Sequence, residues 1–216
     1  MDSLTDLATF LKEYPGMSLS PFKGGELALS GKFEFIATYN GKPSIRDSYQ
    51  LEVNIPQKFP MELPSIYEIG EKIPRDGNHH INPDDTLCLG SPLRMRWKMS
   101  NSPSLCIFAQ KCLIPYLYSI SHKLKYGTYP FGELEHGKAG IISDYLELFG
   151  LKSDEQVIHS IAMLGIKKRR ANKKSCPCNC GKRLGACEFH HKLNAFRKVA
   201  PRSWYKYHIE KMGSDK

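Results

Sequence analysis

A chain of 216 residues with 41% hydrophobic and 25% charged side chains has the composition of a folded globular protein, long enough for one substantial core and a small appendage. No apolar run approaches the roughly 20 residues that a membrane span needs, and the acidic opening MDSLTDLATF lacks the layout of a secretion signal, so no membrane partner and no export are expected. The net charge of +9 is uneven: residues 151–216 hold 16 Lys and Arg against five Asp and Glu, hence +11, and the first 150 residues carry −2.

In chain order, Leu4, Leu7, Leu11 and Tyr14 have the spacing of a short amphipathic helix. KFEFIATYNGKPS predicts a strand running into a turn at Asn40-Gly41. YQLEVNIP puts Tyr49, Leu51, Val53 and Ile55 on one face of a half-buried strand, and a third short strand follows around Ile66 to Ile69. Short turns between these strands predict an antiparallel meander. From about Glu71 to Asn101 the chain reads as irregular, the kind of loop on a rigid scaffold where chemistry concentrates. SPSLCIFAQKCLIPYLYSISHKL is helical in pattern, with Ser102 as N-cap, Pro103 at the first helical position and Pro115 as a kink. Cys106 and Cys112 fall on its apolar pattern and read as core. Two more helices are expected over 138–149 and 153–166, the second opened by Ser153 with Gln156 in a capping box. KKRRANKK then reads as a solvated basic linker. The expected organisation is a domain over 1–150, a helix and basic linker over 151–172, and a small tail over 173–216.

Seven cysteines are an odd number, and four crowd into CPCNCGKRLGAC, which argues against a scattered disulfide framework and for a reducing cytoplasm. A fifth, Cys88, lies in HHINPDDTLCLGSP. Taken alone, Cys88 has a bland reading as a buried free cysteine. Its surroundings point elsewhere. The order helix, strands, Phe59-Pro60, Pro64, His79/His80/Asn82, Cys88-Leu89, Trp97, Ser102-Pro103, helix resembles the ubiquitin-conjugating enzyme family over roughly residues 1–150. That resemblance implies that Cys88 accepts the C-terminus of a protein as a thioester and passes it to a target amine. A thiolate is the competent nucleophile for such a transfer. A side-chain amide such as Asn82 would stabilise the oxyanion formed when the amine attacks. The family's HPN tripeptide is not intact here, Asn82 following Ile81 and preceding Pro83, so His79 or His80 is an alternative donor. Asp84 and Asp85 would hold or deprotonate the incoming ammonium, or serve only as turn formers. YPFGELEHGKAGIISDYLELFG, with NPDDTLCLG and the chain's size, is similar to the short conjugating-enzyme-like proteins of bacterial antiphage CBASS operons. This implies a cGAS/DncV-like nucleotidyltransferase as partner, with Glu133, Glu135 and His136 at the rim of the site, although Gly132 and Gly137 there also read as a plain turn.

CPCNCGKRLGACEFHH resembles the SEC-C zinc motif. Cys176, Cys178 and Cys187 fall on ligand positions, and three thiolates with one imidazole suit tetrahedral Zn²⁺. Glu188 occupies the motif's adjacent fourth position. Helical spacing from Cys187 favours His190 as the replacement, with His191 and Cys180 as alternatives. So short a segment folds around a structural metal. The fold expected is therefore α+β, a ubiquitin-conjugating-like domain followed by a zinc module, with thioester transfer as its activity. The alternatives are an inactive conjugating-fold scaffold, or a nucleic-acid-binding protein acting through the basic tail.

Overall fold

The computed structural model describes residues 3–23, 26–132 and 137–214. The chain divides into two compact units, Met1–Gly90 with Asn101–Glu133, and Ser91–Ser100 with Leu134–Lys216. The architecture is α+β, with one four-stranded antiparallel sheet and several helices.

The first unit opens with α1 (Ser3–Glu13). Leu7 and Tyr14 of the expected stripe are buried, Phe10 is buried beside the half-buried Leu11, and Leu4 is 71% exposed. The aromatic rings decide the rotation: Tyr14 stacks on Phe33 at 4.4 Å and meets Phe10 at 4.8 Å. Four strands follow, β1 (Met17–Lys23), β2 (Glu26–Ala37), β3 (Ile45–Ile55) and β4 (Ser65–Glu68), adjacent in chain order. β1 is an addition to the expected meander. Its serines and Pro21 hide the strand pattern, and Pro21 is tolerated because it falls in the irregular stretch between Ser20 and Lys23 of an edge strand. Gly31, at φ 146°, lets β1 close on β2, since a Cβ there would meet the Gly16 carbonyl oxygen at 2.2 Å.

On β3 the period-2 pattern holds, with Tyr49, Leu51, Val53 and Ile55 all buried. Phe33 pairs with Tyr49 and Leu29 with Val53 across the β2–β3 ladder. Burial of each such side chain contributes about 1.5–3 kcal/mol.

The helical layer comprises α3 (Leu105–Phe108), a π-helical turn over Ala109–Leu113, and α4 (Ile114–Tyr126). Its N-cap is Ser104, not Ser102: Ser104 Oγ accepts from Ile107 N at 3.1 Å, and the buried Asp6 carboxylate accepts from Leu105 N. Pro115 does not break the helix. Ile114 N reaches back five residues to Ala109 O, widening the turn next to the proline, which has no N–H to give. α4 is tied to the sheet through Ser121, whose hydroxyl donates to Asp47 Oδ2 and lies 2.7 Å from the Tyr49 hydroxyl.

The second unit contains α2 (Pro92–Met99), α5 (Gly137–Phe149), α6 (Asp154–Gly165), α7 (Lys168–Ala171), α8 (Phe189–Phe196) and α9 (Arg202–Ser214). α2 lies within the stretch expected to be irregular. Ser91 caps it by accepting from Arg94 N, and both Ser91 and Arg94 bond the Asp144 carboxylate of α5. The core gathers Leu93, Tyr145, Phe149, Val157, Ile161, Leu164 and Phe196. α6 starts as expected, Gln156 Oε1 accepting from Ser153 N at 3.2 Å and Lys152 N at 2.8 Å. It ends on Arg197, whose guanidinium donates to the carbonyls of Met163, Leu164 and Ile166. Among the described residues, no helix is long and apolar enough to cross a membrane.

Candidate active site and candidate metal centre

After β4 the chain returns as a short two-stranded ribbon. Ile81 bridges Leu87, Asn82 N donates to Thr86 O at 2.8 Å, and Cys88 N donates to His80 O at 2.8 Å. The tip is a turn in which Asp85 N donates to Asn82 O, with Asp85 in the left-handed region at φ 64°. Asp tolerates that conformation better than most residues. The ribbon is fastened to β4 by Leu87 N to Ile66 O and by a Tyr67–Thr86 bridge. Alternation along it places Asn82, Thr86 and Cys88 on one face, opposite Ile81 and the buried Leu87.

The segment preceding the ribbon is held by three successive carbonyls. Asn78 O accepts from Lys123 Nζ at 2.7 Å and from the Tyr129 hydroxyl at 2.6 Å. His79 O accepts from the Tyr116 hydroxyl at 2.9 Å, and His80 O from the amide of Cys88. His79 is buried, and its Nδ1 donates to Asp76 Oδ1 at 2.7 Å, a bond that keeps the Asp76 carboxyl below its usual range. The His80 ring packs against Tyr129 at 5.2 Å, with its backbone at φ 51°.

Cys88 is half-buried, and burial pushes its thiol up. The backbone N–H of Gly90 opposes that shift without overcoming it. The sulfur also lies close enough to Tyr116 to raise that phenol further, beyond what burial does. Asn82 Nδ2 donates one hydrogen to Thr86 Oγ1 at 2.9 Å, and among the described residues its second hydrogen meets no acceptor. Asp84 accepts from the Thr86 hydroxyl and amide, which hold its carboxyl low, whereas the Asp85 carboxylate is exposed and 3.6 Å from Arg75. Of the residues singled out from the sequence, His80, Asn82 and Cys88 share the ribbon, His79 adjoins it, and Asp85 occupies its far tip. Glu133, Glu135 and His136 lie outside the described residues. Tyr116, Asp76 and Tyr129 carried no sequence signal, because only tertiary packing brings them to this loop.

The second cluster is built by local turns. Asn179 at φ 60° and Gly181 at φ 75° fold Cys176–Lys182 back on itself, closed by Cys176 N to Lys182 O at 2.9 Å. The sulfurs of Cys176, Cys178, Cys180 and Cys187 all lie within 4.8 Å of one another, and none is in a disulfide. Cys176 and Cys178 sulfurs are 3.1 Å apart, and those of Cys178 and Cys187 3.6 Å. A tetrahedral thiolate centre with metal–sulfur bonds of about 2.3 Å needs sulfurs about 3.8 Å apart, so the set fits a four-coordinate metal. Burial pushes the Cys176 and Cys178 thiols up, and backbone N–H groups two residues on oppose it; the same kind of bond from Lys182 N draws the exposed Cys180 down to about 7, and Phe189 N donates to Cys187 Sγ at 3.5 Å. Such bonds favour the thiolate form a metal requires. Cys180 is the fourth sulfur in the group. His190, expected in that role, lies outside it, and its Nδ1 donates to Cys187 O at 2.7 Å. The one-residue spacing of Cys176, Cys178 and Cys180 was the signal for this set.

No family model matches the chain, and no curated protein or solved structure matches it either.

Proposed function

We propose that the chain is a ubiquitin-conjugating-like acyl transferase in bacterial antiphage defence, with Cys88 as its acceptor and a structural zinc ion in its C-terminal tail. The observation that carries this reading is the mounting of Cys88: a half-buried thiol on a ribbon fastened to the last strand of the meander, beside a loop held by Tyr116, Lys123 and Tyr129. A core cysteine needs no such mounting. A nucleophile that must meet a bulky acyl donor does, because positioning accounts for much of the rate.

In this mechanism Cys88 Sγ attacks the activated C-terminal carbonyl of a donor protein, a thioester forms as the donor's leaving group departs, and the thiol proton leaves with it or passes to solvent. An incoming amine then attacks the Cys88 thioester, the C–N bond forms, the C–S bond breaks and the thiol is restored. Asn82, with its free amide hydrogen on the Cys88 face, is the donor nearest in register for the oxyanion. His79, fixed by Asp76, serves as a positioning residue. Asp85, 3.6 Å from Arg75 at the exposed tip, is suited to meet the arriving amine. The donor partner is a cGAS/DncV-like nucleotidyltransferase, and the setting is the cytoplasm. Cys176, Cys178, Cys180 and Cys187 hold Zn²⁺, which supplies no chemistry to the transfer and folds the tail.

The test is intact mass of the protein purified together with such a nucleotidyltransferase and an activating protein, with and without thiol, beside Cys88→Ala. The reading predicts a thiol-labile adduct absent from Cys88→Ala. An adduct that persists in that variant, or no adduct under any condition, contradicts it. The latter leaves the inactive-scaffold alternative standing.

A further inference from the structure

The stretch expected to be a solvated linker is folded. Residues 167–183 hold eight Lys and Arg and not one Asp or Glu, and all eight cations are exposed. Four belong to Lys167 and α7. Lys173 sits in the turn that closes α7, and the other three sit on a ribbon in which Ser175 bridges Arg183, Leu184 N donates to Lys174 O and Cys176 N donates to Lys182 O. Among the described residues, none of the eight is in an ion pair. A divalent metal on four thiolates would contribute −2, leaving +6 within 17 residues.

We propose that this cationic knuckle is a docking surface for the phosphate backbone of duplex nucleic acid. A flexible basic tail loses entropy when it binds, whereas this array is already ordered by the backbone bonds of α7 and the ribbon, which lowers the cost of engaging a regular row of phosphates. Single strands are bound by stacking bases on aromatic rings, and residues 167–183 contain no aromatic residue. Protein partners need an apolar core to the interface, and a lipid surface needs apolar side chains to insert. Here Ala171, Cys176 and Pro177 are buried and what faces solvent is polar. The surface lies wholly within one unit and owes nothing to Cys88.

The experiment is fluorescence polarisation of an end-labelled 20-base-pair DNA duplex titrated with the full chain between 50 and 200 mM salt. Engagement of about four phosphates predicts a slope of log affinity against log salt of about −3.6, hence a fall of roughly 150-fold across that range. The triple variant Lys168→Gln/Arg169→Gln/Arg170→Gln should bind at least tenfold more weakly, with a shallower slope. Lys12→Gln/Lys42→Gln/Lys58→Gln removes the same charge from exposed positions of the other unit and should stay within twofold of the parent. Circular dichroism and a denaturant titration check that both triples are folded. Absence of duplex binding at 50 mM salt, equal losses in the two triples, or tighter binding of a single strand or a polyglutamate chain than of the duplex would overturn the proposal.

Discussion

Burial sets the acidity of Cys88, outweighing the Gly90 backbone N–H, and keeps the resting group a thiol. With the folded pKa above the ordinary thiol range, the thiolate fraction at pH 7 is small and grows with pH. Alkylation of Cys88 by iodoacetamide, followed by peptide mass spectrometry, should therefore keep accelerating through pH 9 without levelling; a plateau near pH 7 would contradict a thiol whose acidity is set by burial. His208 behaves in the opposite sense. Burial first, and Arg96 second, push its imidazole down to about 4, while its Nε2 shares a hydrogen bond with Tyr145. The unfolded imidazole takes up a proton below about 6.5 and the folded one only below about 4, so protons favour unfolding between those values. Stability should fall by about 3 kcal/mol as pH drops through that window. In His208→Gln, denaturant titrations at pH 7 and pH 4.5 should lose most of that difference. Cys88 and its histidines were readable from the sequence because they are neighbours along it. Tyr116 was not: it is a helical tyrosine like any other until α4 lies against the loop and its hydroxyl meets the His79 carbonyl.

Among the elements, those with local signals were legible. The α6 start was readable because the Ser153 and Gln156 exchange is complete within four residues. Its end was not, since the cap is Arg197, more than thirty residues downstream, donating to three carbonyls at once. A planar fork suits that task and an ammonium does not. Arg197→Met should cost about 2–3 kcal/mol in chemical denaturation, and Arg197→Lys should recover only a minor part. β1 and α2 were missed for a related reason. Each is short and weakly patterned, and each depends on partners distant in sequence: β2 for β1, and Asp144 of α5 for α2. The cysteine knuckle falls between these cases. Its three C-terminal-most candidates for the fourth position, Cys180, His190 and His191, all had acceptable spacing. The structure favours Cys180: the turn through the left-handed Asn179 and Gly181 leaves its exposed sulfur within 4.8 Å of the other three, while His190 bonds the Cys187 carbonyl. Replacement of Cys180 with Ser should lower zinc affinity at least tenfold, whereas His190→Ala should retain one zinc per chain; the reverse ranking in metal titrations would restore the histidine.

At the scale of the whole molecule, the charge asymmetry seen in the sequence separates two chemistries. The first 150 residues carry −2 and contain the thiol ribbon, and the last 66 carry +11 and contain the sulfur cluster and the cationic knuckle. The class of fold could be read from the strand pattern and the helices that follow it. What the pattern could not give was the mounting of Cys88, which draws an acceptor, the Ile66 carbonyl, from β4 and donors from α4 and the segment after it. The most direct test of the acyl-acceptor role uses Cys88→Ser, purified with the nucleotidyltransferase and an activating protein, and analysed by intact mass. If Cys88 carries the acyl group, the serine hydroxyl takes it up more slowly as an oxygen ester. The adduct would then survive thiol and be released by alkali, where the parent's adduct is lost to thiol. An adduct equally thiol-labile in both proteins, or mapped to another residue, would contradict the account.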